Sequence, residues 1–310
     1  MRYGVNPFIA VLLSMLLAVT VLSESLDVTK PEGVGMSSER LTRIGPLIKS
    51  HVAAKDFSGA VTLVARKGKV VHFEAQGSMD LETNKPMRKD TLFRMASMTK
   101  PITAVAVLML MEEGKLTLSD PVSKFIPEFK NPKLAIWNMP NDPRGAGVHL
   151  VSADREVTLQ HLLTHTAGIA VDADGPAGQY FRATTLNQIS LAEFSKRVGT
   201  LPLNFQPGTQ WQYTGTIGFA ILGRVVEIVS GMNLDQFFRQ RIFTPLGMNN
   251  TFFDIPSNRL ADVATLYRRD GEALVKQPSA RPLPAGVEFY NGAGGLTGDA
   301  EDYLPSARCF

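Results

Sequence analysis

Leu92-Phe93-Arg94-Met95-Ala96-Ser97-Met98-Thr99-Lys100 runs straight into Ile102–Met111, a stretch that is apolar except for Thr103. The apolar run predicts a buried helix that starts at Ser97 and stops at Gly114, where glycine serves as a C-cap. Pro101 falls in the first turn, where the missing amide costs little. Ser97 and Lys100 are three residues apart, and on a helix that puts them on one face. The lysine amine can therefore stand beside the serine hydroxyl. A serine is a weak nucleophile until something takes its proton. A lysine can do so only if burial or a nearby cation lowers its pKa, and the apolar run offers such burial. A capping serine followed by a solvated lysine has the same spacing, so the pair needs partners before it means chemistry.

Two further stretches supply candidates. In Pro207-Gly208-Thr209-Gln210-Trp211-Gln212-Tyr213-Thr214 a tyrosine follows a turn and precedes a helix, a position suited to facing a cleft. Near a cation its phenol would become a usable base; a core tyrosine with a satisfied hydroxyl is the plainer alternative. In Leu162-Leu163-Thr164-His165-Thr166-Ala167-Gly168 the histidine invites a triad, but the chain has no Gly-x-Ser-x-Gly elbow. His161 and His165 are four apart, as helical metal ligands are, yet no glutamate follows His161 as the zinc-protease pattern requires. We expect a helix-end histidine bonded to local backbone, and no metal.

The 310 residues are 44% hydrophobic with a net charge of +3. That supports one large domain or two closely packed ones. No run of like charges suggests nucleic-acid binding. Arg2 followed by the apolar Phe8–Leu22 segment resembles a secretory signal ending near residue 23, short for a membrane span. A periplasmic or secreted location is expected, with membrane association only if the segment stays uncleaved. The single cysteine, Cys309, cannot form an internal disulfide.

Along the chain, a helix is expected from Ser37–Ser38 to Ala53, with Pro46 as a possible kink. Ser58–Val64 and Val70–Ala75 form a hairpin around Lys67-Gly68. After the Ser97 helix come helices at Thr158–Thr164, Ser190–Val198, Gly218–Ser230 and Leu234–Ile242, with Gly231 between the last two. Strands resume at Ala264–Arg268 and Glu272–Lys276 around Asp270-Gly271. Residues 126–156 and 168–189, rich in Pro, Gly, Asn and Asp, are expected to be long loops. The order hairpin, helices, strands predicts an α+β fold: an antiparallel sheet flanked by helices, with an all-helical insertion at roughly 101–248.

Taken together, the three motifs resemble the serine β-lactamase/penicillin-binding-protein superfamily, and within it the class C-like (family VIII) carboxylesterases. Gly223-Arg224-Val225-Val226-Glu227, Pro245-Leu246-Gly247-Met248 and Gly294-Gly295-Leu296 extend the resemblance over roughly 35–304. It implies that Ser97 is acylated, that Lys100 takes its proton or lowers the pKa of Tyr213, and that Tyr213 is the general base. It also implies that the Ser97 amide is one half of an oxyanion hole. His165, Gly294 and Gly295 are expected near the substrate. No cofactor is implied. The expected substrate is a small ester, with a β-lactam or a D-alanyl-D-alanine peptide as alternatives; the oligomeric state is left open.

Two departures stand out. β-Lactamases carry an asparagine two residues after the tyrosine, where this chain has Gly215, which favours esters over β-lactam amides. The superfamily's third motif, a Lys-Thr-Gly-like triplet on a late strand, has no counterpart after Tyr213. The second oxyanion donor is thus unassigned, with the Asn291–Leu296 glycine loop the first candidate. The sequence is expected to lack C-terminal strands, through a frameshift or a shortened reading frame, which leaves an inactive or merely penicillin-binding relative as a further alternative. Pro305 is expected to break the helix that begins near Asp302.

Overall fold

The computed structural model describes residues 27–139, 141–143, 145, 147–170, 175–183 (main chain only at 182 and 183), 189–278 and 288–307. The signal-like segment and Cys309 lie outside these residues.

Ser37 caps α1 (Ser38–Leu41) by accepting from the Arg40 amide. The chain then re-starts as α2 (Ile44–Ala53). The single helix expected here is two, and Pro46 sits in the first turn of α2, where its missing N–H costs little. β1 (Gly59–Arg66) and β2 (Lys69–Asp80) pair antiparallel from Arg66↔Lys69 to Gly59↔Gly77. Their turn has Lys67 at φ 52° and Gly68 at φ 74°, the left-handed pair that matches strand twist in two-residue hairpins. β3 (Lys85–Pro86) adds to β2, so the sheet order is β1-β2-β3 with β1 at an edge. Residues 60–64 of β1 are only half-buried.

β4 (Phe93–Arg94) leads into a 3₁₀ turn (Ala96–Met98) and then α3 (Thr99–Glu112). α3 contributes Ile102, Ala106, Val107 and Leu110, all fully buried, to the main core. Burying one such aliphatic side chain is worth about 1.5–3 kcal/mol, so this helix is anchored by its apolar length.

The segment expected to be a long loop at 126–156 holds a hairpin, β5 (Lys133–Trp137) with β6 (Val148–Ser152), in register from Lys133↔Ser152 to Trp137↔Val148. Leu134 and Ala135 are buried, and the Ala135 amide donates to Leu203 O at 2.9 Å. The insertion is therefore not all helical: five-residue strands were masked by the Pro, Asn and Gly of the connection between them. α4 (Leu159–Leu163) follows, then α5 (Gly178–Ala183) inside the second expected loop, then α6 (Leu191–Gly199).

α7 (Ile217–Ser230) is the central helix, packed against α3, α4, α6 and α8 (Leu234–Phe238). Gly231, left-handed at φ 74°, ends it. α8 passes through one wide π turn (Arg239–Phe243) into α9 (Thr244–Leu246). Among the described residues no single helix is long and apolar enough to cross a membrane.

β7 (Tyr267–Asp270) and β8 (Ala273–Lys276) form the late hairpin. β7 begins later than expected because Ala264 and Thr265 donate elsewhere, to Leu92 O and Met79 O. β9 (Thr297–Gly298) pairs with β4, next to the Ser97 turn. α10 (Ala300–Ala307) closes the described chain. It contains Pro305, so the expected break does not occur at that residue. The buried Asp302 carboxylate anchors the helix, accepting from the Asn250 amide at 2.5 Å and from Thr251 Oγ1 at 3.0 Å. Tyr303 Oη, on the same helix, donates to Met98 O at 3.1 Å and so touches the Ser97 turn.

Candidate active site

Ser97 stands exposed in the 3₁₀ turn that precedes α3. Ala96 before it adopts φ 45°, an unusual conformation for a side-chain-bearing residue. The turn is pinned by Met95 N–H to Leu296 O at 2.9 Å, the continuation of the β4–β9 pairing.

Lys100 lies one turn on and is buried, 7% exposed. Its Nζ donates to Ser97 Oγ at 3.0 Å and to Ala293 O at 2.8 Å. It also faces the rings of Tyr213 at 5.1 Å and Phe219 at 5.9 Å. A buried ammonium needs such partners. The solvated-lysine alternative is excluded.

Tyr213 Oη is 2.7 Å from Ser97 Oγ. Oγ already accepts from Lys100, so its own proton is free to point at the phenol oxygen. The Lys100 side chain first, and the Ser97 hydroxyl second, hold the phenol pKa below the ordinary tyrosine range. Tyr213 is 43% exposed, so the hydroxyl pair faces solvent while the cation sits behind it.

The glycine-containing loop 291–296 is the rear wall. The Ala293 amide donates to Asn291 Oδ1 (2.8 Å), those of Gly294 and Gly295 to Asn291 O (3.2 and 2.8 Å), and that of Leu296 to Thr99 Oγ1 (3.3 Å). All four amides are engaged within the protein, so they do not offer the free second oxyanion donor considered from the sequence. The loop's contribution is a carbonyl, Ala293 O. Thr103 Oγ1 fixes the preceding carbonyl, Gly292 O, at 2.6 Å. Gly294 lies behind the Ser97 turn, where a Cβ would come 3.6 Å from Ala96, while Gly295 faces Asn291 O and the Phe253 ring.

His165 lies beyond the end of α4 at φ 58°. Its ring is 4.8 Å from that of Tyr213 and 5.5 Å from that of Phe219, with the exposed Trp211 edge-on at 6.3 Å. His161 points elsewhere: its Nδ1 accepts from the Thr158 amide in the α4 capping box, and its Nε2 lies against Gly208. The His161 ring bonds local backbone, whereas the His165 ring is bonded by Thr214, 49 residues along the chain, and not by the local backbone expected at a helix end. Among the described residues no group of three or more His, Cys, Asp or Glu could hold a metal.

A serine, a buried lysine and a tyrosine of lowered pKa thus meet on one hydroxyl, drawn from two separated sequence stretches. The beta-lactamase family model matches residues 45–305. The chain belongs to that family. A similar curated protein is the esterase EstB of Burkholderia gladioli, 35% identical over 284 residues that cover 84% of this chain and 68% of EstB. An uncharacterised protein of Mycobacterium tuberculosis is 34% identical over 257 residues, 81% of this chain and 61% of the relative. Among solved structures, EstCE1, described as a hydrolase with promiscuous acyltransferase activity, superposes with a TM-score of 0.70 at 28% identity, over 86% of this chain and 71% of the other. The chain thus spans about three fifths of the mycobacterial relative's length and about two thirds of EstB's.

Within the beta-lactamase-type site, sequence analysis missed Ala293 O as a lysine partner, Asn291 as the organiser of the rear loop, and Thr214, which is buried beside His165. The Gly294-Gly295 motif points to this loop, but the loop meets Lys100 through an acceptor, Ala293 O, rather than through donors.

Proposed function

We propose that this protein is a serine hydrolase that cleaves small carboxylic esters through an acyl-enzyme on Ser97. The observation that carries the proposal is the contact of Ser97 Oγ with both Tyr213 Oη (2.7 Å) and Lys100 Nζ (3.0 Å). Lys100 donates to Oγ and to Ala293 O, so the proton acceptor for Ser97 is the tyrosine. Tyr213 takes the Ser97 proton as Oγ attacks the ester carbonyl. It returns that proton to the departing alcohol as the C–O bond breaks. Water then repeats the sequence on the acyl-enzyme and frees the acid. Lys100 stabilises the phenolate form throughout. The Ser97 amide, in the first turn of a helix where amides lack intrahelical partners, serves the developing oxyanion.

Gly215 favours esters, because it offers no side-chain amide to a substrate amide. The relationship to EstB supports the same choice. We place the protein outside the cytoplasm on the signal-like character of residues 1–23. A fluorophosphonate probe should label wild type and not Ser97→Ala. p-Nitrophenyl butyrate should be turned over faster than nitrocefin. Labelling that survives in Ser97→Ala removes the nucleophile assignment, and a preference for nitrocefin replaces the esterase with a β-lactamase.

A further inference from the structure

The segment that carries Tyr213 is extended and follows a turn, and nothing in its own sequence explains how a 43% exposed phenol is held at 2.7 Å from Ser97. The amides on either side of it give the answer. Gln212 N–H donates to His165 O at 3.0 Å. Thr214 N–H donates to His165 Nδ1 at 3.3 Å, and Thr214 Oγ1 lies 2.9 Å from the same nitrogen. One residue therefore grips the chain immediately before and immediately after the tyrosine, while its ring lies against the tyrosine ring at 4.8 Å. The positive φ of His165 (58°) accompanies the approach of its carbonyl and ring to the same segment; histidine is among the residue types enriched in that conformation.

The backbone amide of Thr214 can only donate, so Nδ1 must be unprotonated and the ring proton sits on Nε2. A protonated ring would lose its grip on Thr214 N–H and place a second cation beside Lys100. Burial first, and Lys100 second, push the imidazole pKa down and keep the ring neutral. The other groups packed against the ring are Tyr213, Phe219, Trp211 and the Thr214 hydroxyl. Room for that hydroxyl depends on Gly218, where a Cβ would come within 2.7 Å of Thr214 Oγ1.

We propose that His165 is a positioning residue for the base: through its carbonyl and its Nδ1 it fixes the two amides that flank Tyr213, and it does so only as a neutral imidazole. The proposal rests on Tyr213 acting as the base of the hydrolase described above.

Two variants separate the ring from the backbone. His165→Gly keeps the carbonyl and accepts φ 58° without strain, but removes the ring. His165→Asn also tolerates that φ, offers Oδ1 as an acceptor for Thr214 N–H, and cannot titrate. The primary readout is ionisation of Tyr213, followed by ultraviolet difference titration of each protein against the same protein carrying Tyr213→Phe. Wild type and His165→Asn should show a tyrosine that titrates below the ordinary range. In His165→Gly it should rise by about one pH unit or more, as the phenol leaves Lys100. The second readout is the rate of fluorophosphonate labelling from pH 4.5 to 8. His165→Gly should label about 100-fold more slowly, and His165→Asn within about 10-fold of wild type, on the scale of one lost catalytic placement. The loss of labelling at low pH that comes from the imidazole should be present in wild type and absent in His165→Asn. Unchanged Tyr213 titration in His165→Gly overturns the proposal, as does a His165→Asn protein that titrates like the glycine variant. Failure of the Ser97 assignment shows itself separately, as labelling that persists in Ser97→Ala, and leaves the tyrosine titration to decide the role of His165.

Discussion

Lys100 and Tyr213 reach the same hydroxyl from opposite sides, and they are held in opposite ways. The lysine is held from behind, in the core, by a carbonyl of a loop whose amides are turned inward on Asn291 and Thr99. The tyrosine is held from the front, near solvent, by a pair of polar grips from His165. The cation is placed by packing and therefore shares the stability of the fold. The proposed base is placed by hydrogen bonds to the chain on either side of it. A mutation behind the site should register first as lost stability, and one in front as lost activity.

The largest test removes the two groups themselves. Lys100→Ala and Tyr213→Phe should each lower kcat on p-nitrophenyl butyrate by about 1000-fold or more, and the double variant should lose little beyond either single one, since groups acting as a unit are non-additive. Losses that multiply would mean that front and rear act independently.

Next come two alanines that ought to behave differently. A Cβ on Gly292 would come within 2.8 Å of Phe219 O and 2.9 Å of Thr103 Oγ1. Gly292→Ala should therefore cost about 1–3 kcal/mol of stability, the usual range for overpacking, seen as a lower melting temperature. Gly218→Ala gains up to about 1 kcal/mol of helix propensity but displaces the Thr214 hydroxyl. Its activity should fall further than its melting temperature. If both variants lose stability and activity in the same proportion, the contrast between the two walls is wrong.

pH sharpens the comparison on the rear side. Burial first, and the neighbouring Asp299 second, raise the Asp302 carboxyl to about 6. The folded protein then keeps a proton there that the unfolded chain releases near pH 4. The stability this group contributes is full below that point and is lost as pH rises through about 6. Asp302→Asn should thus lose less stability than wild type between about pH 4.5 and 7, measured by denaturant unfolding at each pH. A larger loss in the variant would reverse the assignment.

The smallest effect belongs to Gly215, at φ 54° on the front segment. Asparagine tolerates that conformation, so Gly215→Asn should fold and should raise the nitrocefin-to-ester rate ratio by about 10-fold, the scale of one well-placed polar contact. An unchanged ratio would remove Gly215 from the account of specificity.

Much of the rear half was legible in sequence. Ser97 and Lys100 share a face because helical spacing fixes it, and the apolar run to Met111 guaranteed burial of that helix. The Lys67-Gly68 and Asp270-Gly271 turns and the Gly231 stop carried their own backbone chemistry. What stayed hidden depends on contacts distant in sequence. The grip of His165 on Gln212 and Thr214 joins segments 47 and 49 residues apart, and no local pattern encodes it. β5 and β6 are short strands whose pairing shows only once Leu203 is seen beside them. The helix-breaking tendency of Pro305 taken alone predicts a stop, while Asp302 and Tyr303 tie α10 down through Asn250, Thr251 and Met98. Local propensity lost to tertiary anchoring at that helix.

Trp211 is 68% exposed and edge-on to the His165 ring. The chain has only one other tryptophan, Trp137, which lies on the β5–β6 hairpin. Trp137→Phe therefore leaves a protein with a single indole, placed at the mouth of the site and emitting as a solvated fluorophore. A substrate or inhibitor that covers it will shift its emission to the blue, and protonation of the adjacent imidazole will quench it. The same side chain gives an optical signal for ligand arrival and for the charge state of His165, without a label and without turnover.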